Sequence, residues 1–351
     1  MSIRQMNGIG FNHRYQSMNN TIKPPRLKPG DTVGIASPAA SFFSFTNNWL
    51  SRAQAALEDL GLKVQLANNA RHQREHLNPA PQLRVNDLHD LFADPDIKAI
   101  FCLSGGSGTN ALLPLLDWDL IARSPKILMG YSANTALLLG IYARLNMVTF
   151  HGPTLLNGLS EFPKPLSYTL QKIKDVLFTP TAPGPLEAPE TWTDDAPSEN
   201  SPRKMKNNAG WHWLKGGKAQ GPLIGGNLHT LPILTSTPFW PSFHGKILYL
   251  EEVNMGNTVL MYAEEALAQC QQIGLFEEIS GLIVGKMNNL SQDQEELLQS
   301  LIGYYTSAFD FPILTQVDIG HTSPQMILPN GIQATLDSEQ NLFSIDEAAV
   351  I

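Results

Sequence analysis

From Leu27 to Arg144 short apolar runs alternate with segments of helical period, a pattern that commits the chain to a parallel sheet flanked by helices. Asp31-Thr-Val-Gly-Ile-Ala-Ser-Pro38 reads as a first strand and its loop, Asn48 to Leu60 as a helix stopped by Gly61, and Leu62 to Ala67 as a second strand. Gln82 to Ala93 reads as the next helix, followed by a strand from Ile97 to Leu103 that runs into Ser104-Gly-Gly-Ser-Gly108. A helix over Asn110 to Leu116, a strand opening at Lys126 and a helix after Ser132 complete the series. In such a sheet, ligands lie beyond the carboxyl ends of the strands. Gly105-Gly106 and Ser132 both fall at that edge.

With 351 residues the chain suits two domains, each with a substantial core. Between Phe178 and Gly210 the character changes, with Pro180, Pro183, Pro185, Pro189, Pro197 and Pro202 punctuating a polar stretch. A stretch of this length is either a disordered linker or a working loop. Trp192 inclines the reading toward a loop, because an isolated tryptophan among polar residues needs a surface to cover. Beyond it, Gly221 to Leu228, Lys246 to Glu252, Ile279 to Gly285 and Pro312 to Val317 are strand-like, with helices over Val259 to Gln272 and Gln292 to Ser307. Ile332 to Ile345 alternates as a hairpin does, so the second part is a second α/β domain. The expected division is a loose tail over 1–22, an α/β domain over 23–178, a Pro-rich linker or substrate loop over 179–210, and an α/β domain over 211–351.

The formal net charge of -8 argues against a nucleic-acid polymer as partner, since phosphate neutralisation needs a basic face. No run reaches the length of a membrane span, and Met1 to Thr21 has no apolar core of the secretory kind. Cys102 and Cys270 lack metal-ligand spacing and sit in apolar or helical stretches, so neither a metal site nor a disulfide framework is expected. Together these features point to a cytoplasmic protein that meets small molecules or peptides, with no cofactor.

Ser132 ends an apolar strand in Gly130-Tyr-Ser132 and opens a helix at once. A serine on such a turn projects from the sheet edge with unpartnered helix N–H groups behind it, which suits a nucleophile with oxyanion donors. The plain alternative is that Ser132 is the N-cap of the helix. A serine nucleophile needs a base and a group to orient that base. Glu251 and Glu252 close the strand from Lys246, and His321 follows the strand from Pro312. The loop Gly106-Ser-Gly-Thr-Asn-Ala111 fits the loose dinucleotide pattern G-x-G-x-x-A, which would make the chain a nucleotide-binding protein rather than a hydrolase. It also suits a backbone that approaches the serine and lends an oxyanion donor. Both readings stay open at this level.

Taken together, Leu27 to Pro38, Gly105 to Asp119, Pro125 to Ser132, Thr149-Phe-His-Gly-Pro153, Ile224-Gly-Gly-Asn-Leu228, Gly245 to Glu252 and Gly320-His-Thr322 resemble the serine LD-carboxypeptidase family, in the family's order. That family includes murein tetrapeptide carboxypeptidases and microcin C self-immunity peptidases. The resemblance implies a Rossmann/flavodoxin-like N-terminal domain and a smaller C-terminal α/β domain of swivelling β/β/α type, with the active site between them, and usually a homodimer. It implies a triad of Ser132 as nucleophile, His321 as base and Glu251 as orienting acid. The oxyanion donors would be the N–H of Ala133 and one from Gly105 or Gly106. Glu252 falls where the family commonly has a second acidic residue.

The long segment with Trp192, followed by Gly210-Trp-His-Trp-Leu214, is similar to the microcin-immunity branch. There, the resemblance implies, an aromatic stacks on the nucleotide part of an aminoacyl or peptidyl nucleotide and the asparagine of Gly-Gly-Asn227 helps hold the substrate. A murein tetrapeptide is the alternative substrate. The chain departs from the family pattern in two places. Ala133 stands where aspartate usually follows the nucleophile, leaving Asn134 to take over any side-chain role. Val253, Asn254 and Met255 stand where the microcin-hydrolysing members place a lysine.

Overall fold

The structure, a computed structural model, describes residues 20–39, 46–71, 81–254 and 258–351. Most of the expected tail and Met255 lie outside the described residues. Ile22 is no part of a tail: its N–H donates to the Asn146 carbonyl and its own carbonyl accepts from Val148, both within 2.9 Å.

In the first part β1 (Thr32–Ala36), α1 (Asn47–Asp59), β2 (Lys63–Leu66), α2 (Pro81–Ala93), β3 (Ile97–Cys102), α3 (Trp118–Arg123), β4 (Ile127–Gly130), α4 (Thr135–Leu145) and β5 (Thr149–His151) alternate as the apolar period requires. The expected helix over Asn110 to Leu116 is instead a 3-10 turn, Asn110–Leu115, with Pro114 inside it. Proline removes the N–H that an α-helix would use there. After α5 (Ser167–Ile173) come three two-residue strands, β6 (Gly184–Pro185), β7 (Thr191–Trp192) and β8 (Lys206–Asn207). The second part runs β9 (His212–Lys215), β10 (Lys218–Asn227), β11 (Ile247–Glu251), α6 (Val259–Gln272), α7 (Leu275–Glu278), β12 (Gly281–Gly285), α8 (Gln292–Thr306), β13 (Ile313–Val317), β14 (Leu328–Asn330), β15 (Gln333–Asp337) and β16 (Leu342–Ile345). None of the described helices is long and apolar enough to cross a membrane.

Two sheets result. The first has the order β2-β1-β3-β4-β5, all parallel, with β14 added antiparallel on β5. This is the flavodoxin-like order. The second has a parallel centre, β10-β11-β12-β13, with β9 antiparallel on one side and β15, β16 and β6 antiparallel on the other. The carboxyl ends of β3, β4 and β5 lead to Ser104-Gly105, Ser132 and His151. Those of β10, β11 and β13 lead to Asn227, Glu251 and His321. Every candidate side chain outside the Pro-rich segment therefore stands at a strand end.

The two parts share their cores. Leu137, Leu138 and Ile141 of α4 pack in one cluster with Ile224, Leu248 and Leu267, while Val33, Phe101 and Met129 pack in another with Tyr249, Val317 and Ile327. Nine of the eleven residues of α4 are buried, which explains a helix that is apolar all round. It lies against β4 of one sheet and β10 of the other. The Asn227 N–H donates to the Thr135 hydroxyl at 2.9 Å, so the first turn of the helix is tied to the end of β10. The Pro-rich segment is docked rather than loose. Arg203 and Glu161 form a buried two-pronged ion pair, Nε to Oε1 at 2.8 Å and Nη2 to Oε2, and Arg52 donates to the carbonyls of Ser160 and Glu199 at 2.9 Å.

Candidate active site

The chain leaves β4 at Gly130, passes through extended Tyr131, and places Ser132 at φ +60° before the 3-10 turn Ser132–Asn134. A serine in the left-handed region costs about 1–2 kcal/mol, a strain found where a nucleophile is held out on a sharp turn. The residues that precede the 3-10 turn and α4 are Tyr131 and Asn134. Ser132 is thus the cap of neither, and the capping explanation of this serine fails.

The glycine loop lies directly against it. A Cβ on Gly105 would stand 2.9 Å from the Ser132 Cβ and 3.0 Å from its Oγ, so only glycine fits. Asn134, fully buried, donates from Nδ2 to the carbonyls of Ser104 and Tyr131, both at 3.0 Å, and so clamps the loop to the serine turn. The Asn134 Oδ1, the acceptor that would stand in for an aspartate oxygen, is buried and has no partner within the protein. The Thr109 hydroxyl donates to the Ala133 carbonyl, while the Ala133 N–H, in the first turn of Ser132–Asn134, has no acceptor within that turn. Gly106 has φ +145° and Gly108 φ +77°. The loop runs into a 3-10 turn rather than an α-helix N-terminus, the feature on which a dinucleotide site depends. Gly105→Ala is expected to lower kcat about a hundredfold with KM within a few-fold, measured by steady-state kinetics; an unchanged kcat would remove the loop from the site.

At the facing strand ends, His321 Nδ1 and Glu251 Oε2 are 2.7 Å apart. Gly320 makes this approach possible: at φ +85°, a Cβ there would stand 2.3 Å from Glu251 Oε2. Burial alone would lower the His321 pKa, but the charge and hydrogen bond of Glu251, with Glu252 behind it, outweigh burial and raise it above the usual histidine value. Burial alone would raise the Glu251 pKa, and His321, His151 and Asn227 together outweigh it and lower it. With Nδ1 engaged, Nε2 is the nitrogen left to take a proton. Ser132 and His321 share no hydrogen bond in this structure; the ring of Tyr131, next to the serine, meets that of His321 at 4.8 Å. Nucleophile and base in ligand-free enzymes commonly stand apart in this way and tighten with substrate.

Glu252 and Asn227 form the wall beside Glu251. Glu252 accepts from Asn227 Nδ2 at 3.0 Å, His229 N at 2.8 Å and Val253 N at 2.8 Å. The Asn227 Oδ1 accepts from both the N–H and the hydroxyl of Thr230. Its amide is therefore bonded at both ends within the protein, to Glu252 on one side and to Thr230 on the other. Trp192 stands on the loop side. Thr193 exchanges two backbone hydrogen bonds with Ser323, at 2.7 and 2.9 Å, which sets the tryptophan strand beside the His321 loop. The ammonium groups of Lys206 and Lys286 lie 4.9 and 5.7 Å from the Trp192 ring centre. Among the described residues, no three His, Cys, Asp or Glu side chains are placed to hold a metal ion.

Three neighbours of the site are not assigned any role from the sequence. Tyr131 joins the serine turn to His321, the Thr193–Ser323 pairing joins the Pro-rich segment to the His321 loop, and His151 lies buried between Tyr131 and Tyr249. Tyr131 is signalled only by its place beside Ser132, and His151 only by its place in Thr149-Phe-His-Gly-Pro153.

A model of the LD-carboxypeptidase N-terminal domain matches residues 33–152, and one of the LD-carboxypeptidase C-terminal domain matches residues 220–336. The microcin C7 self-immunity protein MccF of Escherichia coli is 30% identical over 335 residues, 92% of this chain and 94% of its own. The murein tetrapeptide carboxypeptidase of Pseudomonas aeruginosa is 28% identical over 316 residues, 88% and 94% of the two chains. The crystal structure of an MccF-like protein from Bacillus anthracis superposes with a TM-score of 0.84 at 32% identity, covering 92% of this chain and 99% of that one. MccF in complex with aspartyl sulfamoyl adenosine gives a TM-score of 0.84 at 28% identity, covering 94% and 100%.

Proposed function

This chain belongs to the LD-carboxypeptidase family and is a serine peptidase hydrolase, and from that premise we propose that Ser132, His321 and Glu251 are its catalytic triad. His321 Nε2 takes the proton of Ser132 Oγ as the oxygen attacks the amide carbonyl. The tetrahedral oxyanion is held by the Ala133 N–H and a donor of the Gly105-Gly106 turn. His321 then gives its proton to the leaving amine, and water, deprotonated by the same imidazole, releases the acyl group from Ser132. Glu251 holds the imidazole in one tautomer and balances its charge. The observation that carries this reading is the 2.7 Å Glu251–His321 pair, whose imidazole packs on the residue adjoining a left-handed serine.

The substrate we propose is an aminoacyl or peptidyl nucleotide. The complex of the related MccF with aspartyl sulfamoyl adenosine supports this, as does the attachment of Trp192 beside the His321 loop. Base stacking on tryptophan contributes on the order of 1–3 kcal/mol, enough to choose among substrates. In this reading Asn227 and Glu252, which form the wall beside Glu251, help hold the substrate. A murein LD-peptide is the second reading, supported by the similarity to a murein tetrapeptide carboxypeptidase.

Incubating the enzyme with both substrate classes and following cleavage by mass spectrometry separates the two. Trp192→Ala is expected to reduce kcat/KM for the nucleotide substrate about tenfold to hundredfold and to leave an LD-peptide unaffected. Equal rates for variant and wild type on the nucleotide would remove the stacking role.

A further inference from the structure

His151 takes part in none of these steps, yet it is costly to bury as it stands. It is 1% exposed, and neither ring nitrogen has a hydrogen-bonding partner within the protein. A buried polar group left so costs on the order of 1–3 kcal/mol, so for packing alone phenylalanine would serve better. The residue closes β5 and pairs with Gly130 of β4, two residues before Ser132. Its ring meets Tyr131 edge-on at 6.0 Å and Tyr249, two residues before Glu251, at 5.2 Å. It is therefore lodged between the strand that delivers the nucleophile and the strand that delivers the acid.

Its ionisation is constrained as well. Burial, which the Glu251 charge opposes and His321 reinforces, brings its pKa down to about 4. At neutral pH it is an uncharged ring with one N–H to give and one lone pair to offer. Glu251 has the complementary deficit. Its Oε2 is bonded to His321, while Oε1, equally buried, has no partner within the protein. A donor in want of an acceptor and a carboxylate oxygen in want of a donor are thus both buried where β5 and β11 end, with the Tyr249 ring of β11 packed against His151.

We propose that His151 is a positioning residue for the acid of the triad, its ring N–H serving Glu251 Oε1 through one bridging water molecule. The carboxylate is then gripped on both oxygens and presents Oε2 to His321 in a single orientation. Buried waters bridge otherwise unpaired polar groups in this manner. The proposal rests on the assignment of Glu251 as the orienting acid.

The test measures the second-order rate at which a serine-directed fluorophosphonate labels the full chain, which reads activation of Ser132 without knowledge of the substrate. His151→Phe keeps the aromatic packing and removes the nitrogens; it is expected to label about tenfold to hundredfold more slowly, and His151→Gln to recover much of the loss. Labelling of His151→Phe at the wild-type rate, with Ser132→Ala unlabelled, overturns the proposal and leaves the triad standing. Ser132→Ala labelled like wild type overturns the triad itself. Should His151→Phe not fold, nitrogen-15 NMR of the unaltered protein decides. A neutral His151 at pH 6 with a ring N–H slow to exchange supports the proposal, and a doubly protonated His151 at that pH refutes it.

Discussion

Ser132→Ala is expected to lower kcat by about ten-thousandfold to a millionfold and to leave KM within a few-fold of wild type. The hydroxyl is the only group removed. The Ala133 and glycine-loop donors still face the carbonyl, and the residual rate over water is what they supply without a nucleophile. Folding is expected to survive, because alanine meets the same left-handed penalty at this position that serine already carries at φ +60°. A melting temperature within a few degrees of wild type, measured beside the kinetics, separates loss of chemistry from loss of structure. Ser132→Gly would relieve the backbone strain and abolish activity equally, so a gain in stability with no turnover would mark the strain as kept for function. Near-normal kcat in either variant would end the serine mechanism.

How far such a site can be read from sequence depends on whether a residue acts through the backbone or through what surrounds it. The alternation from Leu27 to Arg144 was legible because apolar runs and helical period recur over many residues. The strand ends at Ser132, Glu251 and His321 were legible for the same reason, each being a polar residue at the end of an apolar run. The strands Thr149–His151 and Leu328–Asn330 were not, being three residues long, and they pair across about half the chain. The division into two domains was legible while the sharing of both cores was not, since nothing local tells Leu137 that it will meet Leu248. Asn227 and Glu252 were placed correctly at strand ends, but the bonds that occupy them come from Thr230, His229 and Val253. Composition offered no view of those bonds. The glycine loop is ambiguous in sequence, because neither the 3-10 form of the turn around Pro114 nor the contact of Gly105 with Ser132 is a local property of its residues.

Glu251→Gln is expected to lower kcat by about three to four orders of magnitude and to move the pH dependence in a set direction. On the proposed mechanism His321 can take the serine proton only when it is neutral. Glu251 raises the His321 pKa above the ordinary value of 6.5 against the opposing pull of burial. Activity in kcat/KM is thus lost as pH falls through a point above 6.5 and is fully present well above it. Glutamine keeps the shape of the side chain and removes the charge. The raising influence largely goes, leaving only the more distant Glu252, and burial, which lowers the pKa, takes over. The acid limb of the profile is then expected to shift downward, so the variant retains a larger share of its own maximal activity at pH 6 than wild type does. Its maximum stays low, because an amide cannot fix the imidazole in the needed tautomer or balance the imidazolium formed in the transition state. Rates measured from pH 5 to 9 on both proteins check the two effects together. A lower rate with an unmoved limb would mean that Glu251 orients the imidazole without setting its charge. An unmoved rate would mean that the buried pair, for all its closeness, is structural.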